Sequence, residues 1–160
     1  MKQKPVVFAG SFDPVTNGHL DIIRRARDIF GAVVVVVAAN AKKKTLFTMP
    51  ERVALLKKVL AKEKNVQVDS TTGLLVNYLK KKGLTTLLRG VRGAQDIPHE
   101  MTNARYNKYF FTQAETVFLP CAAETEFISS SSVKEALLYG ADISGLVPRA
   151  VVSALKQKTK

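Results

Sequence analysis

The chain has 160 residues, 46% of them apolar, and a net charge of +12 from 25 Lys and Arg against 13 Asp and Glu. One domain spanning residues 1–160 accommodates that length and can bury roughly 70% of its unfolded surface without a disulfide staple. Its single cysteine, Cys121, allows no intrachain disulfide and fits a reducing compartment. The basic balance favours anionic partners: nucleic acid, nucleotides or phosphorylated metabolites. The longest apolar run, residues 32–39, is too short to cross a bilayer. The basic start has no apolar segment before Pro5, so the expectation is a soluble, cytoplasmic protein.

Residues 6–9 read as a buried strand, followed by the turn Gly10-Ser11-Phe12-Asp13-Pro14. Asn17 is a candidate cap for a helix whose stripe of Leu20, Ile23, Ala26 and Phe30 is widened by Ile22 and Ile29, with Gly31 as its stop. Residues 33–37 are continuous valine, the pattern of a strand covered on both faces. Thr48, Pro50 and Glu51 open a second helix with capping-box spacing, faced by Val53, Leu56, Val59 and Leu60. A short strand at 65–69, a helix at 73–82 and a strand at 85–88 follow, the last running into Arg89-Gly90-Val91-Arg92. A helix from about Pro98 to Phe111 and a strand at 116–119 come next. The serines at 129–132 start another helix, the capping serine being ambiguous, and Pro148 opens a final amphipathic segment, a helical end from about residue 147. Alternating strands and helices imply an α/β fold with a mostly parallel sheet.

Gly10 lets a ligand approach closely and supplies backbone freedom; the plain alternative for 10–14 is a structural turn. His19, beside a helix start where amides favour an anion, points to function. The signatures of dinucleotide-binding and P-loop proteins are absent, and two histidines with one cysteine do not make a zinc site. The serines lack the surroundings of a covalent nucleophile. Arg89 and Arg92 could grip a polyphosphate or belong to a basic surface loop. One of Lys42, Lys43 and Lys44 could reach the same sheet edge, or all three could be surface. Asp96 and Glu100 could hold a substrate hydroxyl, a metal-bound water or an arginine, or be a solvated helix start. Met101, Tyr106, Tyr109, Phe110 and Phe111 suit core or subunit packing.

Three blocks carry a resemblance over nearly the whole chain: Gly10–Pro14 with Thr16-Asn17-Gly18-His19; Leu88–Arg92; and Phe127-Ile128-Ser129-Ser130-Ser131. They resemble the nucleotidylyltransferase superfamily, most closely the bacterial family that adenylylates phosphopantetheine in coenzyme A synthesis. The resemblance implies a single-domain Rossmann-like nucleotidylyltransferase fold with a five-stranded parallel sheet flanked by helices. It implies catalytic roles for Ser11, His19, Lys43 and Arg92. ATP would be bound by Gly10, Ser11, Phe12, His19, Gly90, Arg92, Asp96, Glu100, Ser129, Ser130 and Ser131. The 4′-phosphopantetheine would be bound by Ser11, Lys43, Leu74, Leu75 and Arg89. It also implies Mg²⁺ without direct protein ligands, a hexamer of two trimers, and coenzyme A as a feedback ligand, with neither nucleic acid nor membrane as partner. His99 is a departure, standing where relatives often place a bulky aromatic. Two rival readings are a superfamily member with another acceptor, such as nicotinate mononucleotide, and a basic nucleic-acid-binding domain with steeply salt-dependent affinity.

Overall fold

The computed structural model describes residues 4–39 and 44–158. Five strands form one sheet: β1 (Val6–Gly10), β2 (Val33–Ala38), β3 (Val66–Thr71), β4 (Thr86–Val91) and β5 (Glu115–Pro120). Every pairing is parallel, in the order β3-β2-β1-β4-β5. Parallel neighbours require crossover connections. These carry helices α1 (Asn17–Phe30), α2 (Met49–Val59), α3 (Leu75–Lys82) and α4 (Ile97–Phe110), and α5 (Ser130–Leu138) and α6 (Arg149–Lys158) follow β5. The chain steps outward from β1 to β3, then returns to lay β4 against the other side of β1. Such a reversal opens a crevice at the carboxyl ends of the two central strands.

The valine run behaves as its composition demands. Val6 and Phe8 pair with Val33 and Val35, and these residues face one core with Val37 and Leu88. That core takes Ile23 from α1, Leu56 from α2, Val133 from α5 and both Val151 and Leu155 from α6. The intervening residues Val7, Ala9, Val34 and Val36 face a second, smaller core with Leu79 of α3, Leu87 and Ala114. Neither face of the central strands meets water, which is why these segments do not alternate with polar residues.

Several boundaries differ from expectation for identifiable reasons. Thr16, not Asn17, caps α1: its hydroxyl accepts from the His19 amide, while the Asn17 side chain donates to the Gly145 carbonyl. Strand β4 runs on through Arg89 and Gly90 to Val91, paired residue by residue with β5, so the arginine lies in the strand rather than after it. The α1 stripe is narrower than the sequence suggests, because Ile29 is exposed. Met101, Tyr106, Tyr109 and Phe110 are also exposed, which removes them from the protomer core; Phe111 packs beside the second core. Thr48 and Gly31 cap as expected, Gly31 in the left-handed conformation. The ambiguous serine cap resolves to Ser129.

Candidate active site

The β1–α1 loop is pinned from four directions. The buried Asp13 carboxylate accepts from the Leu46 and Phe47 amides (2.9 and 2.8 Å) and from Lys134 Nζ (3.0 Å). Burial pushes this carboxyl up, but the two amides and Lys134 outweigh it and hold it below its ordinary value. Ser130 Oγ donates to the Pro14 carbonyl at 2.8 Å, and the Asn17 amide donates to the Leu146 carbonyl at 2.9 Å. Arg52 Nη1 donates to the Ser11 carbonyl at 2.7 Å. Gly18 completes the fit: a Cβ there would lie 3.3 Å from the carbonyl oxygens of Thr125 and Ile128, a tight contact that would push α1 and the turn before Ser129 apart by a few tenths of an ångström. Gly10 does not use the backbone freedom expected of it, though it lines the cavity described below. Its φ is not positive, and the space beside it is filled by the Phe12 ring at 3.2 Å; the left-handed residue is Phe12 itself (φ 47°).

This loop forms one wall of a cavity of about 700 Å³ at the carboxyl ends of β1 and β4. Among the expected site residues, Gly10, Ser11, His19, Arg89, Gly90, Arg92, Asp96, Glu100, Ser129, Ser130 and Ser131 all line it. Phe12 does not. It is buried beneath the site and meets the His19 ring edge-on at 4.9 Å. Leu74, exposed at the start of α3, and Leu75 lie outside the cavity. Lys43 falls outside the described residues.

His19 stands at the third position of α1, where a capping box usually has Glu or Gln. The Thr16 amide donates to His19 Nδ1 at 3.0 Å. A nitrogen that accepts carries no proton, so the neutral ring bears its hydrogen on Nε2. Burial, then the positive charges of Arg92 and Arg89, bring the imidazole down to about 4. At neutral pH His19 is thus a neutral hydrogen-bond donor.

The two arginines are held by the two carboxylates, one of the outcomes the sequence left open. Arg89 donates from Nε and Nη2 to both Glu100 oxygens (2.6 and 2.8 Å) and from Nη1 to the Ala9 carbonyl (2.7 Å). Its guanidinium therefore bridges β4, β1 and α4. The Arg92 backbone amide and Nε both donate to Asp96 Oδ2 (3.0 and 3.1 Å). Burial raises the Asp96 carboxyl, but Arg92 more than offsets this and keeps it below its usual value. At α5, Ser129 and Ser132 cap each other, and Ser130 is committed to Pro14. Among the described residues this leaves the Ser130 and Ser131 amides and the Ser131 hydroxyl without protein partners. The Gly18 amide and the Ser11 hydroxyl are likewise unpartnered. Unpaired helix-start amides attract anions.

Among the described residues no cluster of three or more His, Cys, Asp or Glu side chains could hold a metal. Asp96 and Glu100 are both paired with arginines. Cys121 lines the cavity, and burial pushes its thiol up, which keeps it protonated and poorly nucleophilic. Sequence reasoning missed the anchoring by Asp13 and Arg52. Arg52 did leave a signal: it shares the four-residue spacing of the buried Leu56 and Leu60.

A cavity at the reversal of a parallel sheet, with two helix starts and two carboxylate-held arginines around it, is the arrangement by which Rossmann-like α/β proteins bind anionic ligands. The cytidylyltransferase-like family model matches residues 7–136. The chain is 47% identical over 152 residues to the phosphopantetheine adenylyltransferase of Carboxydothermus hydrogenoformans, covering 95% of this chain and 94% of that one. It is 46% identical over 155 residues to that of Desulforudis audaxviator (97% and 95% covered) and 44% over 154 residues to that of Thermotoga neapolitana (96% of each). The chain belongs to the phosphopantetheine adenylyltransferase family.

Proposed function

We infer that this chain transfers the adenylyl group of ATP to 4′-phosphopantetheine, giving 3′-dephospho-coenzyme A and pyrophosphate. The observation that carries this reading is the convergence of His19, Arg89, Arg92 and the α5 start on one cavity, in a chain of this family. The acceptor phosphate is already a nucleophile, so no general base has to create one. One of its oxygens bonds to the α-phosphorus as the bond to the bridging oxygen of the β-phosphate breaks. The protein has to hold two polyanions in line, which makes their encounter effectively intramolecular. As charge gathers on the non-bridging α-oxygens, His19 Nε2–H and the Gly18 amide are the donors placed to meet it. The Ser130 and Ser131 amides at the α5 start receive the departing pyrophosphate. Arg92 offsets charge on the ATP side and Arg89 on the acceptor side. Lys43 adds to both, and Leu74 and Leu75 contact the pantetheine arm. Mg²⁺ belongs with ATP, as the ion its phosphates carry.

The experiment is mass detection of dephospho-coenzyme A after incubation with ATP, Mg²⁺ and phosphopantetheine. ATP–pyrophosphate exchange with a panel of acceptors runs beside it. Exchange supported by nicotinate mononucleotide and not by phosphopantetheine would replace the acceptor in this reading.

Coenzyme A shares the acceptor's arm, so we expect it to compete with phosphopantetheine. We also expect a hexamer of two trimers in the cytoplasm. The exposed Met101, Tyr106, Tyr109 and Phe110 give α4 an apolar surface that such an assembly can cover. No helix among the described residues is long and apolar enough to cross a membrane.

A further inference from the structure

Arg52 is a buried charge, 5% exposed, that no carboxylate among the described residues pairs. Its Nη1 donates to the Ser11 carbonyl at 2.7 Å, and its Nε is buried with no hydrogen-bond partner. A cation kept in this state is costly, and proteins commonly gain stability when such a group becomes an apolar one of similar size. Packing therefore does not account for it. Its one hydrogen-bond partner among the described residues is the backbone of Ser11, a residue that lines the cavity.

We propose that Arg52 is a positioning residue for adenylyl transfer: from α2 it fixes the Ser11 peptide, and with it the direction of the Ser11 hydroxyl towards the reacting phosphates. The other anchors of the loop act beyond Ser11, on Asp13, Pro14 and Asn17. Arg52 is the only side chain among the described residues that hydrogen-bonds the backbone of Ser11. Ser11 follows directly on β1, where the chain leaves the sheet. A small rotation of its peptide would swing the hydroxyl away from the phosphates while leaving the rest of the loop in place. The guanidinium's charge also adds positive potential behind that loop, which disfavours repulsion between the two anionic substrates. This inference rests on the adenylyl-transfer reading, and its test separates the two.

The test compares wild type with Arg52→Met and Arg52→Lys. Dephospho-coenzyme A formation by wild type establishes the reaction itself. ATP binding is followed by calorimetry, so that a readout survives if the acceptor proves to be different. For Arg52→Met the expectation is a melting temperature equal to or above wild type, with kcat down by about tenfold or more, as misplacement of reacting groups costs. The ATP dissociation constant should change much less. Arg52→Lys keeps the charge and one donor and should recover part of kcat. A purely structural role predicts the opposite signs for Arg52→Met, a lowered melting temperature with kcat retained, and that result overturns the proposal. So does an Arg52→Lys protein no more active than Arg52→Met. If Arg52→Met does not fold, Arg52→Lys decides alone: reduced kcat at unchanged ATP affinity supports positioning, and wild-type kcat refutes it. Should wild type fail to turn over phosphopantetheine, kcat is read with whichever acceptor supports pyrophosphate exchange.

Discussion

His19 shows how one short motif sets both geometry and protonation. The four residues Thr16 to His19 make a reciprocal cap in which the Thr16 amide uses Nδ1, leaving the other ring nitrogen to donate. Replacing His19 with Ala should cut kcat by about a hundredfold to a thousandfold, the usual cost of losing one oriented donor to a developing oxyanion. The ATP KM should change far less, as a pyrophosphate-release assay would show; equal losses in both would make His19 a ground-state binder. Its titration is a second check. Unfolded, the ring takes a proton near 6.5; folded, only near about 4. Between those values the unfolded chain holds more protons, so this group's contribution to stability is complete above 6.5 and drains away as pH falls towards 4. Imidazole NMR at pH 6 should find His19 neutral with its proton on Nε2, and a midpoint near 6.5 would contradict the buried, arginine-flanked setting.

Among the elements, the Asp13 carboxylate is the joint between β1, the segment leading into α2, and α5. Asp13→Ala strands two amides and the Lys134 ammonium. Breaking a buried pair usually costs 3–5 kcal/mol; here about 3 kcal/mol is expected, because the Lys134 side chain keeps 34% of its exposure. Urea unfolding at neutral pH measures it, and a loss under about 1 kcal/mol would mean the pair behaves as a surface one. The depressed Asp13 carboxyl gives stability that persists above its ordinary 3.8 and disappears as pH drops through its folded value. Elements with strong local patterns were legible without coordinates: the valine strand, the Thr48 box and the Gly31 stop all rest on neighbours in sequence. The strand through Arg89 and the partner of Arg52 were not, because each depends on residues more than 20 positions away, Phe118 and Ser11. The cavity could be read because its residues cluster at strand ends and helix starts. The pairing of Arg89 with Glu100 could only be left as one option among several, since spacing alone does not choose a carboxylate's partner.

At the scale of the whole molecule, a net charge of +12 accompanies a cavity lined by two arginines and a helix start, to which the proposed reaction brings two anions. Long-range attraction of this kind raises encounter rates and is screened by salt. Raising salt above about 0.1 M should therefore lower kcat/KM for ATP chiefly through KM, with kcat nearly level. A parallel fall in kcat would place the effect in the clamped arginines rather than in capture.

The strand order has a consequence for synthesis on the ribosome. Until residues 86–91 have emerged, β1 has β2 on one side and nothing on the other. That open flank is Val6, Val7, Phe8 and Ala9, without a charge to deter another strand. Between the translation of its second strand and its fourth, the nascent protein therefore presents an apolar strand edge of the kind that pairs with other chains. The arrival of β4 closes the vulnerable flank and brings Arg89 to the Ala9 carbonyl, while the rest of the cavity wall waits for α4 and α5.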